Sequence, residues 1–388
     1  EVGDVLFGDD GKPTTVIDIP FDGEDDVYEI ELKDGRKVRS SKDHNWVVYR
    51  RGVEKIISTY DLFKKHKYQR EKSYRNPTGE ESIYKIKLQN KCVYNEIKTK
   101  IDPYTMGLIL GDGSFRHKNI RTAGFSALEK DVDEYRNYIP YEIYSESKNS
   151  KFGWRINIPN YSNIIKEYGL EMMYSNEKFI PKEYIYNSVQ TRKDIITGLI
   201  DSDGTIDNKG AYHISLSSKR LIEDIREICI SLGYGFNLGK ERKACYYNKD
   251  GVKIECKGSY PIYIYTTDVL CKLNRKKVLL KDKNTNYSKS KSSYSVIVNV
   301  NYIGKSKCKC VTVDNESGCY LINEYVPTHN SYSVAAILAK LFLLGEDDFN
   351  KSKVKANMFS YLKEYLNKDG TLDKFVNAIN HCGDHTEF

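Results

Sequence analysis

The stretch MGLILGDGSF, residues 106–115, decides how this chain reads, because TGLIDSDGTI at residues 197–206 answers it. Each reads as the end of an apolar helix with small residues one turn apart, Gly107 with Gly111 and Gly198 with Ser202. Small residues on one face let two helices meet backbone to backbone. Asp112 and Asp203 follow at once, and Gly113 and Gly204 are the expected stops. An acid at a helix C-terminus opposes the macrodipole, and two acids brought together repel. The pair makes sense if divalent cations sit between the carboxylates. A lone Asp-Gly is usually an ordinary turn; two copies in matched repeats behind an apolar GLI helix reverse that expectation.

The similarity continues beyond the motifs. GFSALEKDVDEYRNYI (124–139) parallels HISLSSKRLIEDIREIC (213–229), and WRINIPNYSNIIKEY (154–168) parallels PIYIYTTDVLCKL (261–273). Each copy reads helix, hairpin, helix, strands, helix, with its Asp-Gly 203 − 112 = 91 residues from the other, which predicts a pseudo-twofold pair. On either side the pattern changes. Residues 1–98 are short β-prone runs, with LKDGRKV as an Asp-Gly hairpin. Residues 286–330 return to strands and turns, and residues 331–388 read as helical. A β part interrupted by an α/β part (99–285) and then resumed suggests one domain inserted into another.

Composition sets outer bounds. The 388 residues allow two or three cores, and the 39% hydrophobic and 30% charged content is that of a soluble globular protein. No apolar run reaches transmembrane length, so no membrane partner is expected. The net charge of +7 hints at a polyanionic partner, although a chain rich in Lys, Asn, Ile and Tyr would reach it without one. The 9 cysteines are scattered and odd in number, which favours a reducing compartment. Cys308–Cys310, CKC, has the wrong spacing for a zinc knuckle.

The paired motifs resemble the LAGLIDADG homing endonucleases over roughly residues 100–285. The resemblance implies two αββαββα halves, with Asp112 and Asp203 binding Mg²⁺ for phosphodiester hydrolysis and the carbonyls of Gly111 and Ser202 as supporting ligands. It also implies a saddle of antiparallel strands over double-stranded DNA. Arg116, Lys118, Arg121, Lys151, Arg155, Lys209, Lys219 and Lys257 are assigned to its polar face. Lys151 and Lys257 occupy comparable places before the last strands of each half, and LNRKKVLLKDK (273–283) resembles the family's basic closing helix.

The flanks resemble the Hedgehog/intein (Hint) fold, and the whole looks like an intein of the replicative-helicase and terminase type. SSKDHNWV (40–47) places Ser41 and His44 beside the upstream scissile peptide, His44 polarising or protonating it. CVTVDNESGCYLINEYVPTHN (310–330) matches the two C-terminal blocks. There Asn330 would cyclise with help from His329, and Ser331 would accept the upstream acyl group as first residue of the C-extein. Splicing of this kind needs no cofactor. NESGCY offers Gly318 and Cys319 where many inteins carry a His, and Cys310 stands where Asp is common, a candidate helper of the last step.

Family members begin with Cys or Ser upstream of the element that opens this chain at Glu1. The expectation is therefore a gene fragment, or a split intein that splices in trans with a separate N-terminal piece. SYSVAAILAKLFLLG (331–345) resembles the helix after a P-loop, which suggests a host such as a phage terminase large subunit. The partner implied is the intein-less host allele, the acting form a monomer, and the location the cytoplasm of a phage's or bacterium's host cell. Two other functions compete: a DNA-binding relic that shifts its target without cutting, and a fragment of an ATP-driven packaging motor that binds ATP.

Overall fold

Asp34 and Gly35 turn the LKDGRKV hairpin as its sequence predicts. Gly35 takes φ +88, a left-handed value that suits glycine, and Leu32 N–H donates to the Arg36 carbonyl at 2.9 Å. The computed structural model describes residues 1–69, 80–115, 121–145, 153–243, 245–247, 253–255, 258–281 and 293–329. The chain divides into two units, Glu1–Asn330 and Ser331–Phe388. The expected helical tail, with Ser331, and the terminal Asn330 lie outside the described residues.

The strands before the repeats are β1 (Val5–Phe7), β2 (Pro13–Leu32), β3 (Lys37–Ser41), β4 (Asn45–Arg50), β5 (Val53–Ser58), β6 (Lys67–Gln69), β7 (Glu80–Ser82) and β8 (Lys85–Lys87), with helix α1 (Thr59–Lys65) after β5. Helix α1 starts where Ser58 accepts the Asp61 N–H. The first repeat holds α2 (Pro103–Asp112), β9 (Ala123–Ser126), α3 (Glu129–Tyr135), β10 (Glu142–Ser145), β11 (Gly153–Asn157) and α4 (Tyr161–Glu167). After the short α5 (Lys182–Ile185), the second holds α6 (Val189–Asp203), β12 (Thr205–Ile206), β13 (Tyr212–Leu216), α7 (Lys219–Ser231), β14 (Gly235–Leu238), β15 (Cys245–Tyr247), β16 (Lys253–Glu255), β17 (Tyr260–Tyr265) and α8 (Asn274–Lys281). The chain then returns through β18 (Tyr294–Val313), β19 (Cys319–Ile322), a 3₁₀ turn at Asn323–Tyr325, and β20 (Val326–His329).

The seven-stranded antiparallel sheet runs β1-β2-β18-β8-β4-β5, with β3 on β2. The long ladder between β2 and β18 runs from Ile297 opposite Leu32 to Val313 opposite Val16. The segments before and after the repeats therefore share one sheet. Its apolar residues, Ile30, Val38, Trp46, Val48, Ile86 and Ile297 among them, form with Val326 of β20 a core of their own. The repeats bury a second core that spans Ile101 to Leu273. In it β10-β11-β9 make one antiparallel sheet and β12-β13-β17-β14 the other.

Helices α2 and α6 lie at the centre of that second core. Asp102 caps α2 by accepting the Thr105 N–H at 2.9 Å, and Ser188 caps α6 through Thr191 at 3.2 Å. Every α2 residue from Tyr104 to Leu110 is buried, as expected of a helix surrounded by protein. A Cβ on Gly107 would lie 2.3 Å from the Ile195 carbonyl oxygen and 2.9 Å from Gly198 Cα, so the helices cross backbone to backbone. The stops work differently from left-handed caps: Gly113 (φ −85, ψ 168) and Gly204 (φ −86, ψ 162) are extended. Glycine is needed there because a Cβ on Gly113 would meet the Ile109 carbonyl oxygen at 2.3 Å.

Candidate functional site

The crossing of α2 and α6 brings the two predicted acids to one point. A Cβ on Gly111 would lie 2.0 Å from Ser202 Oγ and 3.3 Å from Asp203 Oδ2. Burial, and then the charge of Asp203, push the Asp112 carboxyl up to about 6; burial also raises Asp203. Beside them a cavity of about 210 Å³ is lined by Gly111, Ser175, Lys178, Asp203, Ser215 and Ser217.

Two lysines that the sequence reading did not single out complete the arrangement. Lys178 Nζ donates to the carbonyls of Leu110 (2.7 Å), Gly111 (2.9 Å) and Gly113 (2.8 Å). Lys276 Nζ donates to Ile200, to Asp201 (2.9 Å) and to Gly204 (2.7 Å). Each ammonium thus caps the C-terminus of one helix and offsets the macrodipole that would otherwise oppose the acid there. Burial lowers both lysines to about 8, with Asp112 and Asp203 pulling Lys178 back up and Asp201 and Asp112 pulling Lys276 back up. Three donors meet three carbonyls at each site, which uses all the hydrogens of a protonated amine. Lys276 lies in the basic closing helix recognised in sequence; NEKFIP around Lys178 carries no periodic or motif signal of its own.

The donor set fits a hard divalent cation. Two carboxylates raised by burial and, for Asp112, by its neighbour lose an unfavourable energy when a cation lies between them. Among the described residues no group of three or more His, Cys, Asp or Glu could hold a metal, so backbone carbonyls and water would fill the remaining positions. The Gly111 carbonyl already accepts from Lys178 and has one lone pair left. Ser202 turns its hydroxyl back to the Gly198 (3.0 Å) and Leu199 (3.1 Å) carbonyls.

The basic residues assigned to the strand saddle are only partly on strands. Arg155 lies within β11, but Arg121 precedes β9, Lys209 is in the turn from β12 to β13, and Lys219 opens α7, where it pairs with Glu223 at 3.7 Å. Lys219 is thus a helix-end cation: the polar run LSSKR ends its strand at Leu216 and spends Ser218 as an N-cap. Arg116, Lys118, Lys151 and Lys257 lie outside the described residues.

A second cluster forms in the seven-stranded unit. Ser41 ends β3, and its carbonyl accepts the His44 N–H at 3.2 Å. Thr59 holds His44 from behind, its N–H donating to the His44 carbonyl at 2.8 Å. His44 Nε2 hydrogen-bonds Thr328 Oγ1, next to His329. Burial, and then the charge of His329, lower His44 to about 4, and burial lowers His329. The His329 Nδ1 atom is buried without a partner among the described residues. Across the β19–β20 ladder His329 faces Cys319, so Cys319 rather than Cys310 is its cross-strand neighbour.

Residues 179–294 match the model of the homing endonuclease family. The replicative DNA helicase DnaB of Mycobacterium intracellulare is 25% identical over 350 residues, 85% of this chain and 55% of the helicase. The chain therefore spans little more than half the length of that curated relative. Mesophilic variants of the homing endonuclease I-DmoI align with 47% of this chain and 96% of their own at 13% identity, TM-score 0.27. I-DmoI in complex with DNA and calcium gives 46%, 96% and 13%, TM-score 0.28. The homing endonuclease I-WcaI bound to its DNA recognition sequence gives 51%, 88% and 15%, TM-score 0.25.

Proposed function

We propose that the α/β body is a LAGLIDADG homing endonuclease that cuts double-stranded DNA at the intein-less allele of its host gene. The observation that carries this reading is the convergence of Asp112 and Asp203 at the C-terminal ends of α2 and α6, just beyond their crossing, each helix end capped by its own buried lysine. Bound Mg²⁺ would neutralise phosphate charge and lower the pKa of a water. Asp112 and Asp203 would hold the ions, and Lys178 and Lys276, buried at the helix ends beside them, would add fixed positive charge near the phosphate. Water attacks phosphorus, the P–O bond to one deoxyribose oxygen breaks, and that oxygen leaves with a proton. The test is a long DNA carrying the uninterrupted host gene, incubated with the protein and Mg²⁺. One double-strand break at a fixed place supports the reading; binding without cutting by the Asp-intact chain refutes it in favour of the relic.

The seven-stranded unit is read as a Hint splicing domain, with the cleaved peptide at Asn330–Ser331. The Asn330 side-chain nitrogen attacks its own carbonyl carbon, the bond to Ser331 breaks, and the Ser331 amine takes the proton as a succinimide forms. His44 and His329 are neutral at pH 7, so they serve as hydrogen-bond donors and acceptors to that peptide rather than as cations; the unpartnered His329 Nδ1 suits that role. Incubated protein should release a fragment of 388 − 330 = 58 residues beginning at Ser331. Asn330→Ala should prevent this release and His329→Ala should slow it. Mass spectrometry showing a break at any other bond would end the reading.

A further inference from the structure

Between β19 and β20 the chain makes a corner that no glycine relieves. Glu324 (φ 56, ψ 31) and Tyr325 (φ 56) are both left-handed, and consecutive non-glycine residues of this kind persist only where their surroundings hold them. Part of the hold is local. The Glu324 carbonyl accepts from Arg36 at 3.3 Å, and its Oε2 from the Lys37 N–H at 3.1 Å. The rest comes from the other body. Arg226 of α7 donates to Glu324 Oε1 at 2.7 Å, with both side chains less than one-third exposed. The Tyr325 hydroxyl hydrogen-bonds that of Tyr94, and the Glu227 carboxyl of α7 lies near it.

Tyr325 packs against the core of the α/β body, whereas its neighbour Val326 is fully buried in the core of the seven-stranded unit. The chain thus dips into one body for a single residue and returns to the other. From that return β20 runs straight to Thr328, bonded to His44, and to His329. The register and direction of β20 at the cleaved peptide therefore depend on the corner, and the corner depends on α7.

We propose that Arg226 and Glu227, on a helix of the nuclease body, are positioning residues for the splice-junction strand, so that cleavage after Asn330 depends on side chains of a domain with no part in that chemistry. The proposal rests on the splicing reading above. It implies that the α/β insert is not dispensable for protein cleavage in this chain, because the strained corner loses its outer clamp without it.

The test uses the full chain. Arg226→Ala should slow release of the fragment beginning at Ser331 by roughly tenfold, the population change that the strain of about one such residue represents. Amide exchange within Val326–His329 should quicken while exchange in α2 and α6 stays as it was, which separates loss of the clamp from general unfolding. Arg226→Lys should restore most of the rate. In the Arg226→Ala background Glu324→Gly should also recover rate, because glycine takes a positive φ without strain; a merely structural role for Arg226 would not be rescued this way. If the unaltered chain breaks after Asn330 and Arg226→Ala breaks equally fast with unchanged exchange, the positioning role is wrong and the splicing reading stands. If the unaltered chain never breaks there, the splicing reading falls and takes the proposal with it.

Discussion

Replacing Gly107 by Ala should cost both stability and DNA cleavage, and the structure says why no side-chain adjustment can relieve it. The added methyl would stand 2.3 Å from the Ile195 carbonyl oxygen, 2.9 Å from Gly198 Cα and 3.0 Å from the Leu199 nitrogen, all backbone atoms of α6. An ordinary carbon contact needs about 3.5 Å, so the helices must separate by about 1 Å. Overpacking of a tight core costs about 1–3 kcal/mol, here at the upper end because backbone opposes backbone. Alanine returns about 1 kcal/mol of helix propensity. The net loss is about 2 kcal/mol, a fall of about 4–8 °C in the melting temperature of the α/β body. Since Asp112 and Asp203 ride on these helices, a shift of about 1 Å should lower the cleavage rate by about a hundredfold. Gly111→Ala makes the contrast. Its methyl would meet Ser202 Oγ at 2.0 Å and Ser202 Cβ at 2.8 Å, a side chain that can be removed. In a double-mutant cycle Ser202→Gly should therefore recover about 1 kcal/mol or more in the Gly111→Ala background and nothing in the Gly107→Ala background. Thermal unfolding and plasmid cleavage read both quantities. A Gly107→Ala protein within about 0.5 kcal/mol of the parent that cuts at full rate would mean that the helices do not cross here.

Asp112→Asn should abolish cleavage yet leave target binding nearly intact in gel-shift assays, since phosphate contacts lie elsewhere on the body. Without metal the same variant should be the more stable at pH 8. A carboxyl raised to about 6 in the fold favours the folded state below its unfolded value near 4 and loses that advantage as pH rises through 6, so unfolding at pH 8 and pH 3.5 should differ between the two proteins only at the higher pH. Lys178→Met and Lys276→Met should each strand three helix-end carbonyls; we expect about 2–3 kcal/mol of destabilisation in denaturant titrations and loss of cutting, and either variant cutting normally would remove that lysine from the site. His44, lowered to about 4 by burial and then by His329, contributes stability that is present above its unfolded value of 6.5 and lost as pH falls toward 4. His44→Gln should flatten that part of the pH–stability curve of the seven-stranded unit.

Much of this was legible before any coordinates. The small residues at Gly107, Gly111, Gly198 and Ser202 announced a close helix crossing because backbone approach depends on side-chain size alone, and that is written in residue identity. The two Asp-Gly ends and the alternating β runs on either side were equally local signals. Other parts were not. Lys178 and Lys276 look like any surface lysines in sequence, and Lys219 looked like a strand residue until Ser218 turned out to cap α7.

The sequence by itself determined where the helices end, which faces must be apolar, and which acids stand at the helix ends, since periodicity, glycine and Asp-Gly act within a few residues. Only the tertiary structure decided what meets those ends. Lys178 lies 178 − 112 = 66 residues from Asp112, and Lys276 lies 276 − 203 = 73 residues from Asp203. Glu324 reaches Arg226 from another body, and Thr328 reaches His44 across an interval of 328 − 44 = 284 residues. These pairings depend on the packing of two cores and the shared β2–β18 ladder, and no local pattern encodes a partner that distant. The perturbed carboxyls, lysines and histidines arise from burial and from charges set side by side, so they belong to the folded chain alone.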